Sequence, residues 1–244
     1  MDLTFQKSVG EVVATDYRTA TIFEKYGIDF CCKGHRSIDE ACQTKHIMTE
    51  EVMRELKKHF STDQTECPDY KSWPAGQLID YIVEKHHKYV EEITPLLKRY
   101  LDKLCNVHGP NHPELFDINR LFNESAADLA KHMQKEEMFL FPGIKALGPK
   151  TPNPNGTCDI SCSRPGMIQM PIRKMMEEHE TEGDRFKTIE TLSNNYQVPD
   201  GGCATYKVAF EMLKEFQNDL HLHIHLENNV LFPMAIEMEK KMMN

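Results

Sequence analysis

The chain has 244 residues, 40% of them hydrophobic and 27% charged, a composition that supports a sizeable core and excludes a disordered polymer. Its 29 basic and 38 acidic residues leave a net charge of −9, which argues against a nucleic-acid partner, because no basic stripe exists to displace counterions from phosphates. No apolar run approaches the roughly 18–20 residues needed to cross a bilayer, and the first residues lack the basic and apolar regions of a signal peptide, so a cytoplasmic protein without a membrane partner is expected.

Residues 8 to 58 alternate short helical patterns with a turn. In TATIFEKYGIDFCCKGHRSIDEACQ a helix ends at Gly27, a turn carries Cys31 and Cys32, and a second helix opens at Ser37 with Glu40 at the capping-box position. The segment STDQTECPDYKSWPAG is polar, holds two prolines and has no apolar period. It reads as a linker, 61–76, between a small helical unit, 1–60, and a larger unit, 77–244. Eight cysteines in a chain of this length, with no leader, read as thiols or ligands rather than as a disulfide framework.

Four long helical patterns follow. The first places Leu78, Ile82, His86, Val90 and Ile93 on one stripe, and three more run through ELFDINRLFNESAADLAKHMQKEEMFLF, GMIQMPIRKMMEEHETEGDRFKTIETL and TYKVAFEMLKEFQNDLHLHIHLENNVLFPMAIEM. Gly, Pro or Asn punctuates every connection between them, and no strand pattern appears. The expected fold is all-α: an up-down-up-down four-helix bundle behind a small helical domain.

The second and fourth patterns share a frame. DLAKHMQKEEMFLFP, 128–142, and DLHLHIHLENNVLFP, 219–233, carry Asp, Leu, His, Glu, Leu, Phe and Pro at identical offsets. Residues four apart share a helix face, so His132 stands beside Glu136 and His223 beside Glu227. If both pairs face the core, two buried carboxylates need partners, and a metal supplies them. His86 on the first helix and His179 on the third complete four imidazoles and two carboxylates. That inventory suits two first-row ions, and mixed nitrogen and oxygen ligation favours iron or manganese over thiol-bound zinc. Asp128 and Asp219, one turn before their histidines, are candidate acceptors for the distal imidazole N–H. Helical phase assigns His87, His221 and His225 to the surface or rim. The remaining histidines, at 35, 46, 59, 108 and 112, fall in the small unit or in loops, where an ordinary structural role is expected. A ferritin-type site is disfavoured, because the bundle holds a single Glu-x-x-His, from Glu84 to His87.

The paired His-x-x-x-Glu frames with single histidines on the other two helices resemble the hemerythrin-like domains. Oxygen-carrying hemerythrins bear a second histidine one turn along the third helix, where this chain has Met175 and Gly183. The Cys31–Cys32 segment, HHKY, MEEHE and the two frames together resemble the di-iron proteins for repair of iron centres, over nearly the whole chain. The resemblance implies a carboxylate-bridged pair of non-haem irons (Fe–O–Fe) held by His86, His132, Glu136, His179, His223 and Glu227. It further implies an acid, Glu178, lining the approach, and restoration of iron–sulfur clusters damaged by nitric oxide or peroxide. The implied partners are damaged iron–sulfur proteins and nitric oxide or oxygen as a small ligand, with a homodimer as one arrangement open to the chain. Iron donation and nitric oxide reduction remain alternative routes, and binding or sensing without turnover is the competing class. Adjacent Cys31 and Cys32 make a poor disulfide, because consecutive Cα atoms sit closer than the bond requires. Inert buried thiols and a functional thiol pair both remain open for them. Cys158 and Cys162 read as incidental thiols of an exposed loop, with a redox or metal clip as the alternative.

Overall fold

The computed structural model describes residues 3–62, 68–148 and 168–243, so Cys67, Cys158 and Cys162 lie outside the described residues. The small unit is built from α1 (Val9–Thr15), α2 (Ala20–Lys25), α3 (Ile38–Thr44) and α4 (Thr49–Thr62), with a 3₁₀ turn at Tyr17–Thr19. Two capping boxes start α1 and α3. Ser8 Oγ accepts from the Glu11 amide and Ser37 Oγ from the Glu40 amide, each at 3.2 Å. The glutamates accept in return from the serine amides at 3.1 and 2.9 Å. Each such cap is worth about 1 kcal/mol of helix stability, and the two caps face one another through a backbone bridge between Ser8 and Ser37. Gly27, at φ +63°, ends the α2 region in a left-handed conformation that suits glycine.

The larger unit is a bundle of four rods. The first joins α5 (Ala75–Ile82) to α6 (Lys88–His108) through a π-turn at Val83–His87. The second joins α7 (Glu114–Lys135) to α8 (Phe141–Ala146) through a π-turn at Glu136–Leu140. The third is α9 (Gln169–Leu192). The fourth joins α10 (Ala204–Leu226) to α11 (Phe232–Met243) through a π-turn at Glu227–Leu231. Pro142 and Pro233 stand two residues past the ends of two of these turns. Their missing N–H falls where the ladder returns from five-residue to four-residue spacing, so the Leu-Phe-Pro ending of the repeated frame is the sequence trace of the π-turn.

Two apolar clusters fill the bundle. One contains Leu97, Leu101, Phe122, Phe186, Leu213 and Phe216, with the Phe216 ring 5.3 Å from Phe122 and 5.5 Å from Phe186. The other contains Leu78, Ile79, Ile144, Ile172, Leu231 and Phe232. Between them, in the sequence of every rod, lie the buried histidines and glutamates. The expectation of two units joined by a linker omits one fact: Val9, Phe23, Phe30 and Leu56 of the small unit belong to the same apolar cluster as the bundle's Phe122 and Phe216. Gly10 and Gly34 permit this contact, since a Cβ there would come within 2.3 and 2.6 Å of Asn229 Oδ1. No helix among the described residues is long and apolar enough to cross a membrane.

Candidate metal centre

Each π-turn lies where a rod delivers a side chain to the polar layer. A π-turn adds a residue to one turn, which shifts helical phase and widens the backbone locally. On the first rod this turns both His86 and His87 inward, each at most 2% exposed. The surface placement of His87 fails for that reason: a four-residue stripe drawn through Val83–His87 has the wrong phase beyond Ile82. His225 is likewise buried, packed between Tyr17 and Phe30, and burial pushes its imidazole down to about 3. His221 is half-buried beside Glu24.

Two groups of ligand atoms converge among the described residues. His87, Glu136, His223 and Glu227 form one, His132, Glu136, His179 and Glu227 the other, and within each the atoms lie within 4.8 Å of one another. Both carboxylates belong to both groups. The Nε2 atoms of His87 and His223 are 3.3 Å apart, and those of His132 and His179 are 2.9 Å apart. Two nitrogens each about 2.1 Å from one ion at a right angle would stand about 3.0 Å apart, so the imidazoles are spaced as ligand pairs. The carboxylates fit as well. Glu136 Oε1 lies 3.3 Å from His132 Nε2, and Glu227 Oε2 lies 3.0 Å from His179 Nε2. Neither contact has hydrogen-bond alignment, which leaves those buried oxygens without such a partner among the described residues. Nitrogen and oxygen aimed past one another suit a shared cation better than a shared proton.

His86 falls outside both groups. Its Nδ1 meets Asp219 at 2.9 Å, its Nε2 has no partner among the described residues, and its ring lies parallel to that of His223 at 5.6 Å. The structure thus brings together five of the six sequence-predicted ligands, with His87 in the place expected for His86. The expected second-layer acceptors also change. Asp219 serves His86 rather than His223, and Asp128 pairs on the surface with Arg185 at 3.0 Å. The imidazoles are instead oriented by Glu137 at His87 Nδ1 (2.7 Å), Glu178 at His132 Nδ1 (3.0 Å) and Asn228 at His179 Nδ1 (2.8 Å). Such partners fix the tautomer and leave Nε2 free to ligate. Glu178, expected to line an approach, accepts from His132 and from Lys135 (2.7 Å) behind the ligand. The sequence signal for these acceptors was adjacency: Glu137 follows Glu136, Asn228 follows Glu227, and Glu178 precedes His179.

Charge in the layer is balanced internally. Burial pushes the Glu136 carboxyl up and Glu227 adds to that push, yet the imidazoles of His132 and His87 hold it below the ordinary range. Burial likewise opposes ionisation of Glu227, and His223 and His179 overcome it by a wider margin. The His132 imidazole is drawn down by burial and raised more strongly by Glu136, Glu227 and Glu178, to about 9. His87 is raised, with the carboxylates of Glu136, Glu227 and Glu137 outweighing burial, whereas burial wins at His223 and lowers it.

Cys31 and Cys32 sit against this layer, Sγ to Sγ 3.8 Å apart and free. Asp29 Oδ1 accepts from the amides of both, at 3.1 and 2.9 Å, and the three side chains form a further potential metal-binding group. Cys31 is buried, and the adjacent Cys32 thiol together with burial raises its own thiol well above the ordinary range. One of the two positions that flank His179 by a turn packs on this pair: a Cβ on Gly183 would meet Cys32 Sγ at 3.0 Å.

A four-rod bundle with a buried layer of histidines and two shared glutamates defines the hemerythrin class of cation-binding domain. Residues 78–235 match the family described as the hemerythrin HHE cation binding domain, and residues 5–59 match a domain of unknown function (DUF542). The chain is 31% identical, over 94% of its length and 98% of the relative's, to the iron–sulfur cluster repair protein ScdA of Staphylococcus haemolyticus. It is 30% identical to the probable iron–sulfur cluster repair protein of Haemophilus influenzae, over 95% of this chain and 97% of that one. With the iron–sulfur cluster repair protein YtfE of Escherichia coli it shares 30% identity over 93% of its length and 96% of the relative's. The chain belongs to the iron–sulfur cluster repair family, in which a DUF542 domain precedes a hemerythrin HHE domain.

Proposed function

We propose that this chain is a cytoplasmic non-haem di-iron protein that repairs iron–sulfur clusters damaged by nitrosative or oxidative stress. The observation that carries the reading is the sharing of Glu136 and Glu227 between two histidine pairs, a donor set sized for two ions rather than one. His87 and His223 would hold one ion, His132 and His179 the other, and both carboxylates would bridge. When bound, the iron pair supplies either ferrous iron for rebuilding a client cluster or a centre for reducing nitric oxide. The chain's residues do the rest. Glu137, Glu178 and Asn228 aim the imidazoles, and the apolar clusters above and below keep water from competing for the ions. Cys31 and Cys32 present soft thiols, with Asp29, at the edge of the layer, where they suit transient handling of iron or nitrosyl groups. The repair activity named in the curated relatives supports the client class: damaged iron–sulfur proteins. All the described cysteines are free, as a reducing compartment favours.

The test is anaerobic. Reconstituted protein should bind two irons per chain and restore activity to a nitric-oxide-damaged iron–sulfur enzyme, with nitrous oxide and iron transfer to an apo-ferredoxin measured in parallel. Saturation at one iron would refute the dinuclear site. Two irons with neither repair nor nitrous oxide would leave a binding or sensing protein.

A further inference from the structure

Every residue of the two ligand groups is at most 3% exposed, so an ion leaving this layer requires some wall of it to move. The acceptors that orient His87 and His132 make no bond to the small unit, and His223 Nδ1 has no partner among the described residues. His179 is different, because its orientation depends on the small unit. Asn228 Oδ1 accepts from His179 Nδ1 at 2.8 Å, while Asn228 Nδ2 donates to the Cys31 carbonyl at 3.2 Å. That second bond decides which way the amide points. Reversed, Asn228 would turn its NH₂ toward His179, disfavouring the tautomer that leaves Nε2 free to ligate. The same turn also touches the backbone of α9, with Cys32 Sγ 3.4 Å from the His179 carbonyl and packed against Gly183.

We propose that the Cys31–Cys32 turn is a release gate for the metal held by His132 and His179, and that Asn228 is the positioning residue that couples turn to ligand. This rests on the metal-binding reading above. The turn is suited to moving as a piece. Asp29 holds it internally through the Cys31 and Cys32 amides, Phe30 at its start packs on His221 and His225, and beyond the Cys32 Sγ contact its polar ties to the bundle are few. They are Asn228, Asn229 (3.2 Å to the Cys31 and Phe30 carbonyls) and an exposed Lys33–Glu180 pair at 3.2 Å. With the turn seated, the amide is fixed and His179 is held for ligation. With the turn lifted, Asn228 loses its acceptor, water reaches the edge of the layer and the ligand loosens. Linkage requires the reverse effect with equal size: metal at His179 must favour the seated turn.

Peptide-resolved alkylation of Cys32 by iodoacetamide, on the full chain, reports how often the turn lifts. Zinc serves as a redox-inert probe metal that accepts the same donors, and because it also binds thiols, protection of Cys32 supports the gate only where Asn228→Ala removes it. Cys32 should alkylate more slowly in the zinc-loaded chain than in the metal-free chain. In Asn228→Ala that difference should vanish, and zinc loss to a chelator should accelerate by about 10–100-fold, the usual effect of losing such an outer partner. Asn228→Asp separates the two halves of the coupling: it keeps an acceptor for His179 but no donor for Cys31, so metal should stay while the protection of Cys32 disappears. Gly183→Ala crowds Cys32 Sγ without altering a ligand or its acceptor and should also speed release. The gate is refuted if a chain that binds two metals shows equal Cys32 labelling with and without zinc, or if Asn228→Ala and Gly183→Ala both leave zinc loss unchanged. A chain that binds no metal would refute the gate and the di-iron function together.

Discussion

Replacing His87 or His86 by alanine separates two adjacent, equally buried imidazoles. His87 Nε2 stands 3.3 Å from His223 Nε2 and 3.5 Å from Glu136 Oε2, inside a ligand group. His87→Ala leaves Glu136, His223 and Glu227 to hold one ion. Losing an outer partner of a metal ligand already costs about 10–100-fold in affinity, so losing the ligand itself should cost at least about 100-fold, roughly 2.7 kcal/mol. His86→Ala removes a ring parallel to His223 and a bond to Asp219, but no atom of either group. It should lower folding stability by about 2–4 kcal/mol, as for other large buried side chains cut to alanine, and change metal affinity less than tenfold. Competition titrations against a chelator of known affinity, with circular dichroism to verify the fold, measure both quantities. The reasoning is refuted if His86→Ala loses an ion while His87→Ala keeps two at unchanged affinity.

Three further outcomes follow from the same geometry. Glu136→Gln and Glu227→Gln should each weaken binding of both ions, whereas His132→Ala should weaken one; metal analysis at graded free metal distinguishes the patterns. Metal uptake should release protons and strengthen as pH rises, because His132 titrates near 9 without metal and must be neutral to ligate, so calorimetry in buffers of different ionisation heat should show proton release at pH 7 that fades above about 9. Asp16 caps the 3₁₀ turn and binds Arg18 Nη2 (2.6 Å) and His59 Nε2 (2.8 Å); burial opposes its ionisation, but these partners hold its carboxyl well below the usual range. Because the folded value is depressed, its stabilisation is full above the unfolded value of about 3.9 and is lost progressively as pH falls from there to the folded value. Asp16→Asn should cost about 1.5–3 kcal/mol at neutral pH, measured by urea unfolding, and the gap to the parent should narrow in acid.

The bundle was legible because its apolar residues recur at helical spacing, and the metal layer because a repeated frame put His132, Glu136, His223 and Glu227 on matched faces. His87 was lost to the same rule that found the others. Four-residue spacing holds only while the helix keeps its ordinary ladder, and the π-turn at Val83–His87 breaks it within the ligand-bearing turn. Leu-Phe-Pro flags the π-turns that start at Glu136 and Glu227, but the position two past His87 is Tyr89 and the first rod's Pro95 lies farther along α6, so that rod gave no warning. Asn228 and Asn229 were invisible for another reason. Their partners, the Cys31 carbonyl and the backbone around Gly10 and Gly34, lie nearly two hundred residues away in the chain, and periodicity carries no information about which surface two units share. The polar composition of 61–76 reads as a linker, yet α4 runs to Thr62 and α5 starts at Ala75, and composition says nothing about whether the two units touch.

On the proposed function the layer must also survive without metal, and it has the means. Burying two carboxylates without partners would cost several kcal/mol each, enough to threaten a domain of ordinary stability. When metal leaves, the raised imidazoles of His87 and His132 take up protons beside the lowered carboxylates of Glu136 and Glu227. Two positive and two negative charges then close the layer on itself. His223, which burial keeps neutral, is free to accept a metal again without first losing a proton. The apolar clusters on either side need not move, because neither contains a ligand. On the proposed reading, loss and reloading of metal are an exchange of cations for protons inside the bundle, with the cysteine turn at its edge as the part that moves.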